Sequence, residues 1–111
     1  MNLVRMRATL VERAALRYTP AGIPVAEAQM VHQSQVEEAG STRTLDFAFG
    51  VIAIGHVATR LAAEGLGSEL ALSGFLSPRS RRSTRLQVHV QEFTRQEQPD
   101  EPGAGRNEQN S

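Results

Sequence analysis

The chain has 111 residues, a length that suits one domain with one core, since domains usually run to about 100–200 residues. It contains no cysteine, which excludes disulfides and thiolate metal sites and fits a reducing cytoplasm. Its formal net charge is zero, yet the charge is unevenly placed. Residues 1–93 hold ten Arg against eight acids, a balance of +2, whereas residues 94–111 hold Arg95 and Arg106 against Glu97, Asp100, Glu101 and Glu108, a balance of −2.

From the N-terminus, Asn2 to Glu12 alternates Val4, Met6, Ala8 and Leu10 with Leu3, Arg5, Arg7 and Thr9, the period of two that marks a half-buried strand. Its charges break any apolar leader, so this end reads as neither signal peptide nor anchor. Arg17 to Pro24 is a turn region built on Pro20 and Gly22, which supply restricted and permissive dihedrals. Val25 to His32 is a second strand, and the polar Gln33 to Thr42 reads as a hairpin loop. A third strand, Arg43 to Ile54, places Leu45, Phe47, Phe49 and Val51 on one face, so that Phe47 and Phe49 are expected in the core. Gly50 suggests a bulge or bend within it. The longest nearly apolar run, Leu45 to Gly55, contains Asp46 and is far shorter than the roughly 20 residues that cross a bilayer.

His56 to Glu64 carries Val57, Leu61 and Ala62 at helical spacing, with Gly65 as its stop. Two more strands follow, Glu69 to Leu76 and Arg85 to Phe93. Between them lies Ser77-Pro78-Arg79-Ser80-Arg81-Arg82-Ser83-Thr84-Arg85, four of the twelve basic residues in a nine-residue stretch. All twelve are Arg. That usage fits codon bias in a GC-rich genome as well as it fits the guanidinium's planar fork for phosphate. Residues 94–111 are rich in Gln, Glu, Pro, Gly and Asn and are expected to form a disordered polar, acidic tail after a domain spanning 1–93.

Five strands with one short helix between the third and fourth is the order of an all-β OB-fold barrel. Such barrels commonly bind oligonucleotides on the strand 2–3 face and on the loops 1–2 and 4–5. The arginine stretch falls in the 4–5 loop. His32, His56 and His89 share no ligand spacing, Gly65-Leu66-Gly67 lacks the Lys-Ser/Thr of a phosphate loop, and no nucleophile and base form a constellation. A binding protein without cofactor or metal is expected, not an enzyme.

Several motifs, in order and spacing, also resemble a known family. They are Arg13-Ala14-Ala15-Leu16-Arg17, Thr19-Pro20-Ala21-Gly22-Ile23-Pro24, Val31-His32, Glu37-Glu38-Ala39-Gly40 and Gly74-Phe75-Leu76. Together they look like primosomal replication protein N, the PriB family, over about residues 2–93. The resemblance implies an OB-fold related to single-stranded DNA-binding protein, and a cytoplasmic, nucleoid-associated homodimer that binds single-stranded DNA. It implies a place in the replication restart primosome, steadying a PriA-type restart helicase on forked DNA and helping recruit a DnaT-type loading protein. The alternatives from other classes are a general single-strand protector and an OB-fold protein adaptor that binds nucleic acid weakly.

Carried over by position, Arg43 matches a basic site of the family and Arg85 a basic residue closing the 4–5 loop. Arg79, Arg81 and Arg82 fall within that loop, which differs in length from the enterobacterial one. Where those relatives place aromatics near the start of strand three, this chain has Ser41 and Asp46. Strand binders usually add aromatic platforms, at about 1–3 kcal/mol per stacked base, to a basic groove. Tyr18, beside Arg17 at the 1–2 loop, is the best remaining platform, the other reading being a turn residue packed on its own barrel. The DNA contacts expected are therefore Arg17, Tyr18, Arg43, Arg79, Arg81, Arg82 and Arg85, with electrostatics carrying most of the binding.

Overall fold

The structure, a computed structural model, describes residues 1–96. Its elements in chain order are β1 (Val4–Arg13), β2 (Arg17–Tyr18), β3 (Pro24–Glu38), β4 (Ser41–Ile54), α1 (His56–Ala62), β5 (Glu69–Pro78) and β6 (Leu86–Arg95). The five long strands close into an OB-fold barrel in the order β1-β5-β6-β4-β3, with β3 returning to β1. The two-residue β2 adds an edge to β3. β6 runs to Arg95, and the expected tail lies outside the described residues from residue 97 onward. Among the described residues no helix is long and apolar enough to cross a membrane.

Closure depends on β1 serving two neighbours. Val4 to Thr9 pair with β5, and Thr9 to Arg13 pair with β3, with a bulge between Leu10 and Glu12. A bulge bends and twists its strand, which lets one strand turn the corner between two sheets. Alternate residues then point inward: Ala8 and Leu10 from β1, Ala28 and Met30 from β3, Val51 and Ala53 from β4, Leu70 and Leu72 from β5, Val88 and Val90 from β6. The helix is short but amphipathic, and its buried Ala58 and Leu61, three residues apart, join the same core. Full burial of a leucine contributes about 1.5–3 kcal/mol. Leu61 therefore fixes the helix although its N-cap, Gly55, makes no side-chain cap hydrogen bond.

One backbone crossing is close enough to dictate its residue. The β5–β6 register slips between Ser73 and Gly74, and a Cβ built on Gly74 would lie 1.8 Å from the backbone oxygen of His89. Only glycine fits where two main chains approach this closely.

The expected hairpin loop at Gln33 to Thr42 is instead paired strand. β3 and β4 stay in register from Val25 opposite Ile54 to Glu38 opposite Ser41, and only Ala39 and Gly40 turn, with φ of 50° and 82°. Two positive φ values are what the tight type I′ hairpin requires. Polar residues on both faces hide such a ribbon from a hydrophobic-period reading, because ladder hydrogen bonds need no apolar side chain. The continuous register also leaves Gly50 without a bulge; the bulges fall at Leu10/Glu12 and Ser73/Gly74.

Candidate nucleic-acid interface

Because β3 and β4 pair without a slip, residue parity fixes the face along both strands. On β4 the odd positions Phe49 and Val51 turn toward the barrel interior, while Ala48, Gly50 and Ile52 face outward. The outward surface is nearly flat, since Gly50 has no side chain and Ala48 only a methyl group. It forms the floor of a groove of about 280 Å³, to which Gln29 of β3 and Gln87 of β6 also contribute. Arg79 and Arg85 line the opposite wall of this groove.

These two arginines are placed by the loop's own hydrogen bonds. The Arg79 N–H donates to the Arg85 carbonyl at 2.9 Å, closing the loop at its base, and the Ser83 N–H donates to the Ser80 carbonyl at 3.1 Å. Ser83 Oγ in turn accepts from the Arg85 N–H at 2.9 Å. Both guanidinium stems thus leave from a closed base, and Arg81 and Arg82 stand exposed at the tip, outside the groove lining. None of the four forms an ion pair among the described residues, so their charge is available to an anion.

Arg43, Arg17 and Tyr18 occupy other places. Arg43 lies opposite Val36 near the ribbon tip, about 24 Å along β4 from Gly50 at the usual rise per residue, and its parity puts it on the other face. Its Nη1 donates to Glu38 Oε1 at 2.7 Å. Arg17 and Tyr18 sit on β2 beside Val25 and Pro24, at the opposite end of the β3–β4 surface. Arg17 is paired with Glu27, whose side chain also lines the groove. Tyr18 is 62% exposed and is held by the Thr19 turn, in which the Thr19 N–H donates to the Ile23 carbonyl and Gly22 N–H to Thr19. The structure therefore brings Arg79 and Arg85 onto the outer face of β3 and β4, holds Arg81 and Arg82 above it, puts Arg17 and Tyr18 at one end, and leaves Arg43 at the other.

Phe47 departs from its expected core position, being 41% exposed. It faces the same way as Phe49 and Val51, but it lies beyond the end of the barrel, where no opposing strand covers it. There it meets His32 with ring centroids 5.2 Å apart and Phe49 at 5.8 Å. His32 Nδ1 donates to the Arg7 carbonyl at 2.7 Å, and Nε2 faces the Ser34 hydroxyl at 2.8 Å. Both ring nitrogens are thus in use. Phe75 is half-buried on the outer barrel face and stacks on His89 at 4.6 Å, with an interplanar angle of 18°. Gln29, Gln87 and Ala48 were not singled out by sequence reasoning, and Gly50 only as a bulge, because small and amide residues in a strand carry no binding pattern until the groove is built around them.

Comparison with known proteins agrees with this architecture. Residues 2–92 match the model described as another single-strand binding protein family. The chain is 38% identical over 95 residues to the replication restart protein PriB of Bordetella pertussis, a match covering 86% of this chain and 89% of that one. It is 37% identical over 91 residues to PriB of Nitrosomonas europaea, covering 82% and 84%. The solved structure of PriB from Ralstonia solanacearum superposes with a TM-score of 0.78 at 31% identity, covering 87% of this chain and 99% of that one.

Proposed function

Because the chain belongs to the PriB family of replication restart proteins, within the single-strand binding proteins, we propose that it is a non-enzymatic accessory protein that holds single-stranded DNA during replication restart. The observation that carries this reading is the flat outer face of β3 and β4, walled by Arg79 and Arg85. An extended strand can lie on Ala48 and Gly50 with its phosphates toward the guanidiniums, each a planar fork suited to a phosphate. Arg81 and Arg82 at the tip, and Arg17 and Tyr18 at the groove's end, extend the same path. In the cytoplasm, at the nucleoid, the protein would steady a PriA-type helicase on forked DNA and help a DnaT-type loader to join.

A homodimer belongs to the same proposal. The Arg7 carbonyl accepts from His32, and N-terminal of it β1 pairs only with β5. The opposite edge of Val4 to Met6 is open among the described residues, and an open edge is a template for another strand. A second copy is the natural occupant, and a monomeric mass in solution would count against it.

Neutralising three to four phosphates per protomer gives a log-log salt slope of about −2 to −3 for a single strand. Titration of oligonucleotide binding against salt tests this directly, and salt-independent binding, or none at low salt, overturns the reading. A protein adaptor is the second reading, favoured by a groove whose one lining aromatic, Phe49, packs against the barrel core rather than offering its face to a base. Changing Arg79, Arg81, Arg82 and Arg85 to Ala separates the two. DNA binding is lost with helicase contact retained in the first case, and the reverse holds in the second.

A further inference from the structure

A second basic groove lies on the barrel, sharing no lining residue with the first. Arg5 and Arg7 are two residues apart on β1 and so project from the same face. They lie opposite the small residues Ser73 and Ala71 of β5, which leave room above the sheet. Arg60 of α1 reaches the same groove, of about 630 Å³. Its guanidinium is doubly held: Nη2 donates to the Phe93 carbonyl at 3.1 Å, and Cζ lies 4.4 Å from the centroid of the Phe93 ring. Glu92 is the one acid in the lining. Among the described residues none of the three arginines has a carboxylate within ion-pair distance.

We propose that this β1-β5-β6 face is a second contact for the phosphodiester backbone of single-stranded DNA, engaged only by strands long enough to continue past the β3–β4 groove. This rests on the single-strand binding proposed above. The spacing of Arg5 and Arg7, about 6.8 Å between Cα atoms at two strand steps, is comparable with that of neighbouring phosphates on an unstacked strand. No aromatic ring is exposed in the groove lining, so contact is to the backbone and is independent of base. In the proposed homodimer the same faces of two β1 strands adjoin, and two such arginine pairs become neighbours.

The test compares a short and a long oligothymidylate on the full chain and its variants. In R5Q/R7Q the long strand is expected to bind about 20-fold more weakly at 0.1 M salt, with its salt slope about 1.4 less negative, the value for two lost phosphate contacts. The short strand is expected to bind as before. Because Arg5 and Arg7 flank the open β1 edge, a second variant, A71D, sets a carboxylate opposite Arg7 without substituting any residue of β1, and it should weaken the long strand alone. Solution mass accompanies both variants. Unchanged long-strand binding in A71D, or equal loss for short and long strands, overturns the second contact. The main groove is judged separately by R79A/R85A with the short strand.

Discussion

The two halves of the β3–β4 hairpin use the same strands and the same unbroken register, yet one is core and the other is surface. Near the barrel, Met30 lies opposite Phe49 and is fully buried; one residue pair further out on the same face, His32 lies opposite Phe47, which is 41% exposed. The difference is made by what lies across from each half. β1, β5 and β6 close over the first, and nothing in the described chain covers the second. A two-residue period therefore tells which way a side chain points, and closure of the barrel tells whether it is buried.

The largest test of that contrast is the crossing that completes the closed half. A methyl group on Gly74 would collide with the main chain of His89, and neither strand can yield without breaking the β5–β6 ladder. G74A is expected to cost about 3 kcal/mol, at the upper end of ordinary overpacking. For a domain of this size that lowers the melting temperature by about 12–24 °C. A shift below about 4 °C in calorimetry would show that the barrel does not depend on this contact. Comparable in size is the pair M30A and F47A. Emptying the fully buried Met30 site should cost about 2–5 kcal/mol. F47A, at the exposed half, should cost about 1 kcal/mol or less, since the ring loses only part of its burial and its contact with His32. Equal losses in urea unfolding would mean that the ribbon is covered in solution, by a second copy or another chain.

The same contrast explains what was legible beforehand. The barrel strands and the helix carry strong periods because one side of each is sealed by other elements, so the OB-fold order could be read from Val4, Leu10, Met30, Val51, Leu61, Leu70 and Val88. The hairpin could not, since Gln33, Gln35 and Glu37 satisfy their backbone through the ladder while both faces stay polar. Its one sequence sign is Ala39-Gly40. At the candidate interface, the cluster of Arg79, Arg81, Arg82 and Arg85 was visible as charge. That Arg79 and Arg85 share a groove with Gly50 and Ala48, while Arg43 lies on the other face, needed the register and the loop's closing hydrogen bond. The Ser41 and Asp46 positions show a related limit. Asp46 accepts from Gln33 at 3.1 Å across the ribbon, a local pairing in place of a stacking platform.

Binding sharpens the comparison on a smaller scale of free energy. R79A/R85A is expected to make the salt slope for a short oligonucleotide about 1.4 less negative, corresponding to two phosphates. Stability should change by no more than about 0.5 kcal/mol, because both side chains are on the surface. An unchanged slope would remove the loop from the DNA path.

The smallest effect asks whether the exposed half of the hairpin touches DNA at all. Arg43 is held by Glu38 in a pair whose side chains are 61% and 60% exposed, and such pairs contribute only about 0–1 kcal/mol to folding. Removing the carboxylate therefore leaves the hairpin intact while freeing the guanidinium and deleting a negative charge beside it. If the strand passes the ribbon tip, E38Q should bind it about twofold more tightly at 50 mM salt, an advantage that fades by 0.5 M as screening shortens to a few ångströms. R43A should move affinity the opposite way by a similar factor. If both variants bind like the parent, the DNA stays on the outer face with Arg79 and Arg85, and the open side of the ribbon, with Phe47 and His32 along it, is free for a protein.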